Sequence, residues 1–85
     1  MNVESMDQLA RSPVQMGPVL KRRRRLLCRT QAGLSQETGL RQATLSSAEA
    51  GAPMQLQTLF RLLAALDLEI IVRPRSEARG NEEIS

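Results

Sequence analysis

Leu56, Leu59, Phe60, Leu62, Leu63 and Leu66 recur at the spacing of one helix face, the strongest amphipathic pattern in the chain. A helix with so broad an apolar stripe must bury it. In 85 residues the available cover is one small domain or a second copy of the chain. The chain holds one Phe and no Trp or Tyr, so leucine must do the packing. The expected fold is therefore mainly α. One segment departs from it. Leu68-Glu69-Ile70-Ile71-Val72-Arg73 is rich in branched residues and closed by Pro74, and reads as a strand. A lone strand leaves a row of backbone groups unpaired. The simplest remedy is the same strand of a second copy, antiparallel across a two-fold axis. Leu68, Ile70, Ile71 and Val72 are the expected dimer strand.

Ahead of the leucine helix, residues 1–11 are polar and aperiodic and are expected to be flexible. Ser12-Pro13-Val14-Gln15 reads as a helix start, with Ser12 as cap, Pro13 in the first position and Gln15 completing a capping box. Gly17-Pro18 should kink or restart that helix, because Pro18 has no backbone N–H. The helix should then run to about Cys28. Thr30 caps a second helix over about 31–38 with Leu34 inward, and Gly39 breaks it. A third helix over about 41–49 buries Leu45 and Ala48. Gly51-Ala52-Pro53 is a loop. Residues 76–85 are polar and read as a disordered tail. The folded unit is 12–75, and there is no internal repeat.

Charge is unevenly spread. Residues 1–29 hold seven basic and two acidic side chains, with the excess in Lys21-Arg22-Arg23-Arg24-Arg25. A basic run of this kind fits a phosphate-binding face, and equally a solvated helix flank. Arg22 and Arg25 are the candidate phosphate contacts. Four consecutive arginines sweep about 300° of a helix, so they cannot all reach solvent. Arg24 shares a face with Met16, Leu20 and Leu27, and so needs a buried carboxylate. Glu49 lies four residues after Leu45, on the inward face of the third helix, and is the candidate partner. The alternative leaves Glu49 as a cap or at water.

Several functions are excluded or disfavoured. The chain has no His, which removes Ser-His-Asp and Cys-His catalysis and His-bearing zinc sites. Glu37, Glu49, Asp67 and Glu69 show no metal or acid–base spacing. No enzyme, metal or cofactor is expected. One Cys forms no internal disulfide, which suits a reducing cytoplasm. No apolar run approaches the roughly 20 residues of a membrane span. A cytoplasmic, nucleoid-associated protein with no membrane partner is expected.

Two short helices joined by a tight turn between longer helices form a helix-turn-helix over about 30–50. In such a motif the second helix enters the major groove and its first residues meet base edges. Arg41 can donate two bonds to guanine, Gln42 can pair with adenine, and the Ala43 methyl can touch a thymine methyl. The Ser47 hydroxyl can reach phosphate. The competing reading is a helical hairpin with a solvated polar face.

At this point the sequence resembles known families. Gln31, Leu34, Gly39-Leu40, Gln42-Ala43-Thr44-Leu45-Ser46, Glu49 and Gly51 look like the Xre-type, lambda-repressor-like helix-turn-helix. The wider span is narrower in meaning. SPVQMGPVLKRRRR, GLRQATLSSAEAG and LQTLFRLLAALDLEIIVRPR resemble the HipB antitoxins of HipA-type toxin–antitoxin systems, across residues 12–75. That resemblance implies four or five helices followed by one strand that pairs across a homodimer. It implies binding to an inverted-repeat operator in double-stranded DNA, repression of the chain's own operon, and binding of a HipA-like kinase toxin, in some systems with a third protein. By position Arg41, Gln42, Ala43 and Ser46 match base-contacting residues. Gln31 and Thr44 fit phosphate contacts, and Arg24 with Glu49 matches a buried pair common in the fold. Two departures stand out. Arg41 replaces Ser or Lys, losing a helix cap and gaining a guanine-reading donor. Cys28-Arg29 replaces a Gly-apolar pair. Two other readings keep part of this picture: an interaction module that neutralises a toxin with little DNA binding, and a free-standing phage-like repressor.

Overall fold

A computed structural model describes residues 7–75. Most of the segment expected to be flexible, and all of the 76–85 tail, lie outside the described residues. Four helices follow one another: α1 (Pro13–Leu26), α2 (Gln31–Thr38), α3 (Gln42–Glu49) and α4 (Leu56–Ala65). No described residue is in a strand. No described helix is long and apolar enough to cross a membrane.

The start of α1 follows from its capping residues. The Ser12 hydroxyl accepts from the Gln15 N–H at 3.2 Å. The Gln15 side chain folds back as a capping box requires, but it accepts from Arg11 N–H rather than from the cap residue itself. The helix does not restart at Gly17-Pro18, and α1 is continuous through Pro18. Gly17 is instead the point where α1 meets α3. A Cβ there would lie 2.6 Å from the Glu49 carbonyl oxygen and 2.7 Å from the Gly51 nitrogen. Only glycine lets the two backbones approach so closely.

Three of the four helices end in the same pattern. After α1, Cys28 N–H donates to the Arg25 carbonyl at 2.9 Å and Arg29 N–H to that of Arg24 at 3.0 Å. Gly51 and Ala52 bond in the same way to Ala48 and Ser47, and Asp67 and Leu68 to Ala64 and Leu63. This Schellman closure needs a left-handed residue, and φ is +57° at Cys28, +94° at Gly51 and +58° at Asp67. Gly51 adopts it without strain and Asp tolerates it. At Cys28 the side chain costs about 1–2 kcal/mol. Helix α1 thus stops at Leu26, slightly short of the expected Cys28.

The core is aliphatic, as the missing aromatics require. Leu20, Leu34, Leu45, Ala48, Leu62, Leu63 and Leu66 form one buried cluster, with Met16, Leu27, Leu40, Met54, Leu59 and Leu68 packed around it. Phe60 and Leu56 remain exposed on α4. The strand expected to pair with a second copy is not seen in this single copy. Residues 68–74 have no regular structure, and among the described residues no backbone hydrogen bond involves 69–75. Ile71 and Val72 are 69% and 92% exposed. A strand is defined by its pairing, and among the described residues the run has no backbone partner.

Candidate nucleic-acid interface

Helices α2 and α3 meet through a tight turn at Gly39, whose φ of +78° closes α2 through a bond from its N–H to the Ser35 carbonyl. The Ser35 hydroxyl donates to the Leu40 carbonyl, and the Thr38 hydroxyl to that of Leu34 at 2.8 Å. These side-chain bonds hold the turn and therefore fix the entry to α3. Arg41 is the extended residue that starts α3, and its side chain makes no capping bond. Arg41, Gln42, Ala43, Ser46 and Ser47 are exposed, whereas Thr44 is half-buried. Leu45, Ala48 and Glu49 hold the opposite face of α3 in the core. The result is a short, rigidly backed helix that presents small and polar groups.

Behind it lies a closed ionic network. Arg24 Nε and Nη2 donate to the two Glu49 carboxylate oxygens at 2.6 and 3.0 Å. Its Nη1 donates to the Arg29 carbonyl at 2.7 Å. Gln31 Nε2 donates to Glu49 Oε1 at 3.1 Å. Arg24 is 8% and Glu49 9% exposed. Burial alone pushes the Glu49 carboxyl up. The bonds from Arg24 and Gln31, with the charges of Arg24 and Lys21, outweigh that and hold it below the usual carboxylate range. The bond to Glu49 holds the Arg24 guanidinium still more firmly charged, against the opposing effect of burial. No buried side-chain polar atom among the described residues lacks a partner. The network links α1, α3 and the start of α2.

The start of α2 retains free donors. Gly33 N–H is taken by the Thr30 hydroxyl at 3.0 Å and Leu34 N–H by the Thr30 carbonyl at 3.0 Å. The Gln31 and Ala32 N–H groups have no acceptor among the described residues. The Gln31 amide also keeps its second proton. Gln31 is thus aimed by Glu49, a link not evident from sequence spacing. The four arginines separate as the helical sweep requires. Arg24 enters the core, Arg23 Nε donates to the Leu66 carbonyl at 2.9 Å, and Arg22 and Arg25 are exposed. Arg29 Nη1 donates to the Ala65 carbonyl at 2.8 Å and to Glu37 at 2.5 Å. Arg23 and Arg29 therefore cap the C-terminus of α4, a long-range role that sequence reasoning missed. Of the expected dimer residues, Leu68 is half-buried while Ile70, Ile71 and Val72 are exposed together. No group of three or more potential metal ligands occurs among the described residues.

No protein-family model and no curated protein matches the chain. Solved structures do. A HipB–O4 20mer complex is 30% identical, with a TM-score of 0.75 over 82% of this chain and 100% of that one. A complex of a HipB variant with an O2 20mer is 31% identical, with a TM-score of 0.76 over 82% and 99%. The chain belongs to the HipB family. A third similar structure, a HipA–HipB–O2–O3 complex, matches at 30% identity and a TM-score of 0.75, over 82% of this chain and 100% of that one. The HipB fold accounts for all four helices and for the helix-turn-helix made by α2 and α3.

Proposed function

We propose that this chain is a dimeric, sequence-specific DNA-binding repressor and the antitoxin of a toxin–antitoxin system, autoregulating its operon and binding a HipA-like serine/threonine kinase. The observation that carries this reading is the exposed face of α3, backed by the Arg24–Glu49–Gln31 network, in a chain of the HipB family. Arg41 reads guanine with its two-pronged guanidinium, Gln42 reads adenine, Ala43 packs on a thymine methyl and Ser46 meets a base edge. Gln31, with the free N–H groups at the start of α2, holds a phosphate, and Thr44 and Ser47 add hydroxyl contacts beside it. The exposed Ile70, Ile71 and Val72 pair with the same run of a second copy. The two recognition helices then lie about 34 Å apart, one turn of DNA. The HipA–HipB complex supports the kinase as a partner.

The test is a titration of the purified protein on the DNA upstream of its own gene, against a scrambled duplex, at two salt concentrations. Two subunits per inverted repeat and a steep fall with salt are expected. Arg41→Ala should cost about 1–3 kcal/mol and relax preference at a single base position. Equal affinity for promoter and scrambled duplex would remove the repressor reading.

A further inference from the structure

Helix α1 has a second face that neither the core nor the helix-turn-helix uses. Its inward residues are Gly17, Leu20 and Arg24, which meet α3 and the core. At 100° per residue, Pro18, Arg22, Arg25 and Leu26 project on the other side. They line a shallow hollow of about 400 Å³ together with Lys21. Leu26 is 59% exposed there. Arg23, Arg24 and Arg29 each bond a carbonyl or carboxylate within the fold. Lys21, Arg22 and Arg25 make no ion pair with any described residue. The face thus sets two exposed arginines, without an ion pair among the described residues, around an apolar centre, with Lys21 at the edge nearer Glu49.

We infer that the outward face of α1 is a docking surface for an acidic protein, the carboxylates of the partner pairing Arg22 and Arg25 around an apolar side chain seated on Pro18 and Leu26. Read from sequence alone, the two arginines fit DNA phosphates. The exposed Leu26 set between them favours a protein. A phosphate backbone has nothing to cover Leu26, whereas a protein interface combines an apolar centre with arginine forks and a charged rim. The arginine stems add apolar surface of their own. This inference rests on the partner reading above, in which a HipA-like kinase binds the chain, and it assigns the surface that meets it.

The experiment titrates full-length protein with the HipA-type kinase of its own genome, and separately with the operator duplex at several salt concentrations. Leu26→Ser is expected to weaken kinase binding at least tenfold and to leave operator affinity unchanged. Arg25→Gln should weaken kinase binding about fivefold or more. Wild-type kinase affinity in both variants overturns the docking surface while the partner reading stands. An Arg25→Gln protein that keeps the kinase but loses operator affinity, with the salt slope reduced by about one, makes Arg25 a phosphate contact and also overturns it. If the wild-type protein binds no kinase, it is the partner reading that has failed.

Discussion

The seam between α1 and α3 and the run from Leu68 to Val72 are opposite solutions within one chain. At the seam two backbones touch at Gly17 and Gly51, and every buried side-chain polar atom among the described residues has a partner in the same molecule. In the run, the backbone makes no bond beyond Leu68 among the described residues, and three branched side chains stand in water. The seam therefore sets the shape of the helix-turn-helix in a single copy. The backbone groups of the run have no partner among the described residues, and its branched side chains are exposed. A chain this short has a small core. Its buried groups hold α3 in place, and the side chains of 70–72 are left exposed.

Removing the carboxylate tests the seam hardest. Glu49→Ala leaves a buried guanidinium without its partner and should lower the unfolding free energy by about 3–5 kcal/mol. An Arg24→Met, Glu49→Leu double variant should recover most of that loss. Urea unfolding measures both, and a loss below about 1 kcal/mol for Glu49→Ala would mean the pair is not holding the seam. The same pair has a pH signature. The folded Glu49 carboxyl ionises below its ordinary value of 4.5, so the folded state binds fewer protons there. Its stabilisation is complete above the ordinary value and is lost as pH falls through the folded one. Wild type should therefore lose stability relative to the double variant on acidification from about pH 5, as followed by thermal unfolding across that range.

Next in size is Gly17→Ala. The added methyl meets backbone atoms on both sides of the α3 C-terminus, which cannot rotate away. The expected loss is about 1–3 kcal/mol, although alanine favours helix in isolation. A gain in stability would show that the seam can open without cost. Cys28→Gly should act in the other direction, adding about 1 kcal/mol by relieving the left-handed residue at the end of α1. Differential scanning calorimetry should show this as a rise of a few degrees in Tm. The smallest effect on the folding of one subunit belongs to Ile71→Asp, under about 0.5 kcal/mol, because the side chain is exposed. If the run is the association surface, the same change should shift the native mass from dimer to monomer. An unchanged dimer would place the interface elsewhere, with Phe60 and Leu56 of α4 the next surface to test.

Local chemistry made much of this readable. Ser12 and Thr30 mark helix starts because their side chains bond an N–H three residues on, and Pro13 because its fixed φ suits the first helical position. Gly39 marks a stop because its left-handed φ is a property of glycine itself. Arg24 meets Glu49 because a fixed angular step per residue leaves an arginine run no way to stay at the surface. Contacts that depend on tertiary placement were not readable. Gly17 beside Pro18 has the look of a helix break, and its use as a backbone contact appears only once α3 lies across it. Arg23 and Arg29 cap a helix that begins 27 residues after Arg29, a distance that no local pattern encodes. The strand expected at 68–73 was inferred from its branched composition. Composition gives a preference for extended backbone and says nothing of where the pairing partner is.

The clasp on the end of α4 bears on the geometry of any assembly built through the segment that follows. Arg23 reaches it from α1 and Arg29 from the turn before α2, and each holds a carbonyl in the last turn or cap of α4. The direction in which the chain leaves α4 is thereby referenced to the two helices that orient the helix-turn-helix. In a two-fold assembly the half-spacing between recognition helices is about 17 Å, so a departure error of about 5° would displace each by about 1.5 Å. That is enough to misalign a bidentate contact to a base. In such an assembly the two arginines would be an alignment bracket, setting angular tolerance at a joint remote from the surface it aims.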